Sequence, residues 1–211
     1  MARAPATKPP TLVPSGAGTL LRELFGQFAE RPDPRLEAAL DAAVHCFARR
    51  GVAHTSLLDI ARHLGVSKAT AYRQVGSIDD ALRLVVAREL HDLLEELDVV
   101  LSRARGVDLV LVPALAITRR VREHPVFQKL LADEPHLAGE LLPAVVDVFD
   151  VATGLLKRYL AVCMRAGEIR SGDPDALADL IGRLMLVALI LPPRDLKKHF
   201  RTALLPHLEP V

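Results

Sequence analysis

An all-α fold is what this 211-residue sequence predicts, on three observations. Leu, Ala and Val supply most of an apolar content of 50%, whereas aromatics make up 4% and Trp is absent, a composition suited to packed helices rather than sandwiches or barrels. Apolar residues recur at spacings of three and four along most of the chain, in stretches closed off by Gly or Pro. Strand-like alternation and internal repeats are missing from the sequence.

The elements follow in order. Residues 1–18 are rich in Pro, Ala, Ser, Thr and Gly without an apolar period, which predicts a flexible tail. Leu20, Leu21, Leu24, Phe25 and Phe28 then recur at helical spacing before the break at Pro32 and Pro34, so residues 1–33 read as a tail plus a short amphipathic helix. From Arg35, "RLEAALDAAVHCFARRG" puts Leu36, Ala39, Leu40, Ala43, Val44 and Phe47 on one stripe and ends at Gly51. "SLLD" opens a second helix, with Ser56 accepting from a free N–H of the first turn and Asp59 near the positive end of the helix. That helix stops at Gly65, and a third starts within two residues. Ser77 caps a long fourth helix running to about Arg105, with Asp79 and Asp80 in its first turn. Helices are predicted near 108–123, 126–133, 139–167, 174–191 and 194–208, separated at Gly106, Pro125, Pro135, "AGEIRSGDP" and "LPPRD".

With 27 basic and 26 acidic residues the formal net charge is +1, so any surface that grips phosphate is local. The first sixteen residues lack the apolar core of a signal peptide, and "LMLVALIL" (184–191) is too short to span a bilayer, so a soluble cytoplasmic protein is expected. Cys46 and Cys163 have no Cys-x-x-Cys or His-x-x-His companion and read as buried thiols. Adjacent His45 and Cys46 point about 100° apart on a helix, a poor chelate. No Gly-rich phosphate loop and no closely spaced His and carboxylate ligands are found, so no catalytic residue, metal or cofactor is expected.

Two short helices joined by "LGVS" have the spacing of a helix-turn-helix, because Gly65 takes the left-handed conformation that so tight a turn needs. Ala61 lets the helices cross closely, and Ile60 and Val66 are expected beneath the turn. Over a longer span, Ala42, Phe47 and Gly51, "TSLLDIA" (55–61), "GVSKATAYR" (65–73) and the helix start from Ser77 to Leu82 resemble the N-terminal domain of TetR-family transcriptional regulators. Beyond this domain the resemblance is one of pattern. It implies a three-helix DNA-binding domain at 34–80 and a helical ligand-sensing and dimerisation domain at 81–211.

Carried over, the resemblance makes Ser67–Val75 the recognition helix of a head that binds double-stranded DNA. Ser56, Ser67, Lys68 and Tyr72 are expected on phosphates, and Ala69, Thr70, Arg73 and Gln74 on the groove side, where Arg matches guanine, Gln matches adenine and methyl groups meet thymine. Arg62 and His63 flank this surface. Gln74, Val75 and Ile78 depart from the family, which often has His, an aromatic and Lys there; losing the cation at 78 flattens the salt dependence by about one unit of slope. "DALADLIGRLMLVALIL", together with the Leu196, Phe200 and Leu204 stripe, is expected to form a four-helix homodimer interface, spacing two heads by about 34 Å on a palindromic operator. An unidentified small-molecule ligand is expected in the body, with Phe127, Phe149, Tyr159 and Met164 as apolar lining and Arg119 or His124 as polar handle. Two other readings are an interaction module with a degenerate helix-turn-helix and a helical enzyme.

Overall fold

The computed structural model describes residues 31–133 and 137–209, with side chains for all but 133 and 137–148. Nine α-helices follow one another among the described residues: α1 (Glu37–Arg50), α2 (Leu57–Leu64), α3 (Lys68–Val75), α4 (Ile78–Leu101), α5 (Asp108–Glu123), α6 (Pro125–Asp133), α7 (Leu137–Arg165), α8 (Pro174–Ile190) and α9 (Leu196–Leu208). The described residues contain no strand. The expected amphipathic helix at Leu20–Phe28 and the tail before it lie outside the described residues.

The first four helices build a small core of their own. Asp33 accepts the N–H of Arg35 at 2.9 Å and starts a 3-10 turn, Pro34–Leu36, from which α1 continues. The predicted stripe is buried at Ala39, Leu40, Ala43 and Phe47, and it is wider than expected because Ala42 and Cys46 are buried too. The reason is that α1 packs against α2, α3, α4 and α6 rather than against one neighbour. Phe47 is wholly buried, and truncating it to Ala would cost about 3–5 kcal/mol. Gly51 ends the helix at φ 82°, with its N–H donated to Phe47 O.

Helix α4 belongs to two cores. Ala81 and Val85 close the head, so its packing runs past residue 80, while Leu93, Leu94, Leu97 and Leu101 enter the body. The helix ends earlier than predicted, at Leu101. There the Ser102 hydroxyl donates to Val99 O at 2.7 Å, and Gly106, at φ 54°, donates its N–H to Glu168 Oε2 at 2.8 Å. A local hydroxyl that competes for a helix carbonyl, followed by a glycine turned toward α7, ends an otherwise favourable run.

The body packs α4 and α5 with α7, α8 and α9, and α8 lies along α7. Asp173 and Asp195 cap α8 and α9, accepting the N–H groups of Asp175 and Lys198 at 2.9 and 2.8 Å. One expectation changes here: Phe200 and Leu204 are fully buried within the chain itself, with Leu196 against the same core. The outward face of α9 is instead Lys197, Lys198, Arg201 and Thr202. Exposed apolar surface lies at Val187, Ile190 and Leu191, around the end of α8, and at Val151 of α7.

Candidate nucleic-acid interface

Three helices of the head begin at a serine, and the three beginnings differ. At α2, Ser56 Oγ accepts the Asp59 N–H at 3.3 Å, while the Ser56 N–H and hydroxyl both donate to Asp59 Oδ2, at 3.0 and 2.6 Å. Arg50 pairs with the other oxygen of that carboxylate. At α4, Ser77 and Asp80 repeat the box at 3.0, 2.7 and 3.1 Å. In both, the serine hydroxyl and then the serine N–H hold the carboxyl below its usual range. Each helix dipole is therefore answered by the chain's own anion.

At α3 the third position is Thr70, not Asp. Ser67 Oγ accepts the Thr70 N–H at 3.1 Å and lies 3.0 Å from Thr70 Oγ1. The first turn carries no acidic residue and begins with exposed Lys68. The N–H groups of Lys68 and Ala69 precede the first N–H that donates within the helix, so they point out of it with the positive end of its dipole. This is the beginning among the three that is chemically suited to an anion from outside.

The turn that presents α3 is the predicted one. Gly65 sits at φ 74°, ψ 27°, with its N–H donated to Arg62 O at 3.3 Å and that of Val66 to Ala61 O at 3.0 Å. Ile60 and Ala61 are buried beneath it, and Val66 is half-buried. At the far end Gly76 has φ 71°, and a Cβ there would fall 2.7 Å from Asp80 Oδ2.

The predicted contact residues divide by environment. Lys68, Ala69, Tyr72 and Arg73 are exposed on one side of α3, Tyr72 at 60%, and Arg73 Nη2 donates to Thr70 Oγ1 at 3.3 Å. Gln74 is half-buried with its Oε1 turned inward and without a hydrogen-bond partner, so it does not stand ready to read a base edge. Val75 is an apolar anchor, 1% exposed, and Ile78 packs against the same core, which accounts for the apolar residues at both positions. Ser56 is exposed, but its hydroxyl is engaged by Asp59, so a phosphate there would have to displace a carboxylate.

The six residues expected around a ligand are placed in separate surroundings. Pro113 lies inside α5 and has no N–H to offer Leu109 O; the hydroxyl of Tyr159, buried in the body core, donates to that carbonyl at 2.9 Å instead. Burial pushes the Tyr159 phenol well above its usual value. Met164 packs on the same core. Phe149 faces α8, its ring 5.6 Å from the Arg183 guanidinium and close enough to Gly182 to leave no room for a Cβ there. His124 caps the end of α5, with Nε2 3.9 Å from Glu89 and its pKa pushed down by burial. Phe127 is half-buried on α6, and Arg119 is exposed.

A group that sequence reasoning missed is the set of charges around Arg88, whose partners on α1 lie 47 and 51 residues away. No local pattern carries such a signal. Among the described residues no three His, Cys, Asp or Glu side chains are grouped to hold a metal ion, and no helix is long and apolar enough to cross a membrane.

The family model described as bacterial regulatory proteins, tetR family, matches residues 39–83, which span α1 through the start of α4. Two uncharacterized HTH-type transcriptional regulators of Mycobacterium tuberculosis, from strains CDC 1551 and H37Rv, are each 26% identical over 144 residues, covering 67% of this chain and 73% of theirs. Among solved structures, SmeT, the repressor of the Stenotrophomonas maltophilia multidrug efflux pump SmeDEF, superposes with a TM-score of 0.58 at 23% identity, covering 82% of this chain and 90% of SmeT. The SmeT–triclosan complex gives a TM-score of 0.62 at 20% identity, covering 84% and 93%. Residues 39–83 are thus similar to the helix-turn-helix domain of the tetR family of bacterial regulatory proteins, and the all-helical fold that carries them is shared with SmeT.

Proposed function

We propose that this chain is a TetR-type transcriptional regulator, a cytoplasmic homodimer that binds a palindromic operator through α3 of each protomer and represses until a small molecule releases it. The observation that carries the reading is the start of α3, where the Ser67 cap, Lys68 and two outward N–H groups lack the acid that closes α2 and α4. Ser67, Lys68 and Tyr72 would hold the phosphate backbone, and Arg73, Ala69 and Thr70 would face base edges in the major groove. Gln74 would contribute only by swinging its amide outward, and Ser56 only by giving up Asp59. The reading head is residues 34–80 with the first turns of α4, and residues beyond it form the sensing and dimerising body. Val187, Ile190 and Leu191 with Val151 offer the apolar surface for a partner protomer.

SmeT supports the remaining part, since it is a repressor of an efflux pump and has been solved with triclosan. By analogy the body here binds a small molecule, at a place that the separated Phe127, Phe149 and Arg119 do not mark out together. Tyr159 and Met164 serve the core, and His124 serves the corner of α5 and α6.

The reading is tested by binding to DNA from upstream of the protein's own gene at several salt concentrations. We expect specific retention, lost by more than about tenfold in Arg73→Ala, and a log–log salt slope reduced by about one unit in Lys68→Ala. No retention of any genomic fragment at low salt would refute it.

A further inference from the structure

We infer that Arg88 and Glu89, adjacent on α4, are positioning residues that clamp the head on one side and the body on the other, and so set the angle at which α3 is presented. The inference rests on the DNA-binding reading for its consequence, but not for its geometry.

Helix α4 passes from the head core at Ala81 and Val85 to the body core from Leu93 onward. The stretch between is thinly covered: Val86 is 56% exposed and Leu90 packs only partly on the body core. Arg88 is the exception there, buried to 8% exposure, with Nη1 donating to Glu37 Oε2 at 3.1 Å and Asp41 Oδ1 at 2.8 Å, both on α1. Burial alone would disfavour its charge, but those two carboxylates outweigh it and the pKa is raised. Arg88 Nη2 also reaches Glu89 Oε1 at 3.5 Å. Glu89 turns to the body, accepting from Arg120 Nη2 of α5 at 3.1 Å and lying 3.9 Å from His124 at the α5–α6 corner. Arg120 Nη1 reaches Glu96, two turns further along α4, at 3.5 Å. One chain of charges therefore runs from α1 through α4 to α5, where apolar packing on α4 is thinnest.

Exposed ion pairs hold a side chain weakly, but a buried guanidinium cannot leave its carboxylates without stranding a charge. The head is thus held at discrete arrangements rather than at a continuum of angles. The corner at His124 leads directly into α6, whose Val126 packs on the head core. A shift of that corner would loosen Glu89 and, through Arg88, the grip on α1.

The test measures head against body without DNA. Spin labels are placed on exposed positions, Ala53→Cys in the head and Thr202→Cys on α9, with labelled protein diluted into unlabelled. The native Cys46 and Cys163 are buried, 6% and 0% exposed, and stay unlabelled under native conditions. Electron–electron distance measurement should give one narrow distribution. Glu89→Gln and Arg120→Ala should each broaden it by about twofold with far-UV circular dichroism unchanged, as a released hinge requires. Arg120→Lys, which keeps a cation on Glu89, should restore the narrow width, a result that mere damage to packing would not give. Asp41→Asn, on a side chain 74% exposed and so no threat to folding, should broaden it as well. Unchanged widths in Glu89→Gln, Arg120→Ala and Asp41→Asn, or a width in Arg120→Lys equal to that in Arg120→Ala, would overturn the clamp. Failure of every DNA fragment to bind would sink the operator reading and leave these widths standing.

Discussion

Head and body treat their reactive side chains in opposite ways. On α3, Lys68, Ala69, Tyr72 and Arg73 stay exposed among the described residues, and Gln74 alone of the long polar side chains turns inward. In the body, Tyr159 is spent on a proline's missing hydrogen bond, His124 on a helix corner, and Phe149 on the approach of α8. Within the head the same contrast recurs, since Asp59 and Asp80 close two helix starts and Thr70 leaves the third unclosed. Available chemistry is thus marked by what the fold leaves unanswered, not by residue type.

The sharpest way to break this contrast is to close α3 as well. Thr70→Asp would complete a capping box with Ser67, stabilising the helix by a few tenths of a kcal/mol to about 1. The same carboxylate would occupy the seat proposed for a phosphate, and DNA retention should fall by more than about tenfold, roughly 1.4 kcal/mol or more. A variant that melts higher and binds DNA as before would remove the start of α3 from the interface.

In the body the matching experiment restores what Pro113 removed. Tyr159→Phe should cost about 1–3 kcal/mol in denaturant unfolding, because Leu109 O is left buried without a donor. In a Pro113→Ala background residue 113 supplies its own N–H, and the same change should cost clearly less. Equal costs in both backgrounds would mean that Tyr159 is held for some other purpose, and its place in a ligand site would reopen.

That pair shows where sequence reading stops. The helices, the Gly65 turn and the serine caps were legible because each depends on residues within one turn of the chain. Tyr159 and Pro113 are 46 positions apart, and Arg88 reaches Glu37 across 51, so neither pairing leaves a local period to read. The end of α4 falls four residues before the expected Arg105 for the same reason, as Gly106 is fixed by Glu168 from 62 positions away. At Ser56 the motif itself is local and legible, and the structure adds that Asp59 engages the serine hydroxyl.

Smaller effects refine the two ends of α3. Gly65→Ala meets nothing within 4 Å, so its cost is the left-handed backbone alone, about 1 kcal/mol. Gly76→Ala, at φ 71° and ψ −139°, lies in a region essentially reserved for glycine and also drives a methyl into the Asp80 carboxylate, so it should cost more. Thermal melts of the two variants decide this; a Gly65→Ala penalty equal to or above that of Gly76→Ala would contradict the box at α4.

Acid should separate the three helix starts without any mutation. Asp59 and Asp80 have folded pKa values below the unfolded 3.8, so their contribution is fully present above that value and is lost as pH falls through the lower folded one. Asp80 is exposed and Asp59 half-buried beside Arg50, and each holds one helix start, so the expected signature is local rather than a large change in global stability. The Ser56 and Ser77 amides, which donate to these carboxylates, should titrate in proton–nitrogen correlation spectra with midpoints below 3.8. The Ser67 amide faces no carboxylate of its own helix and should stay still through the same window. If Ser67 moved with the other two, α3 would share their closure, and the distinction on which its interface role rests would be gone.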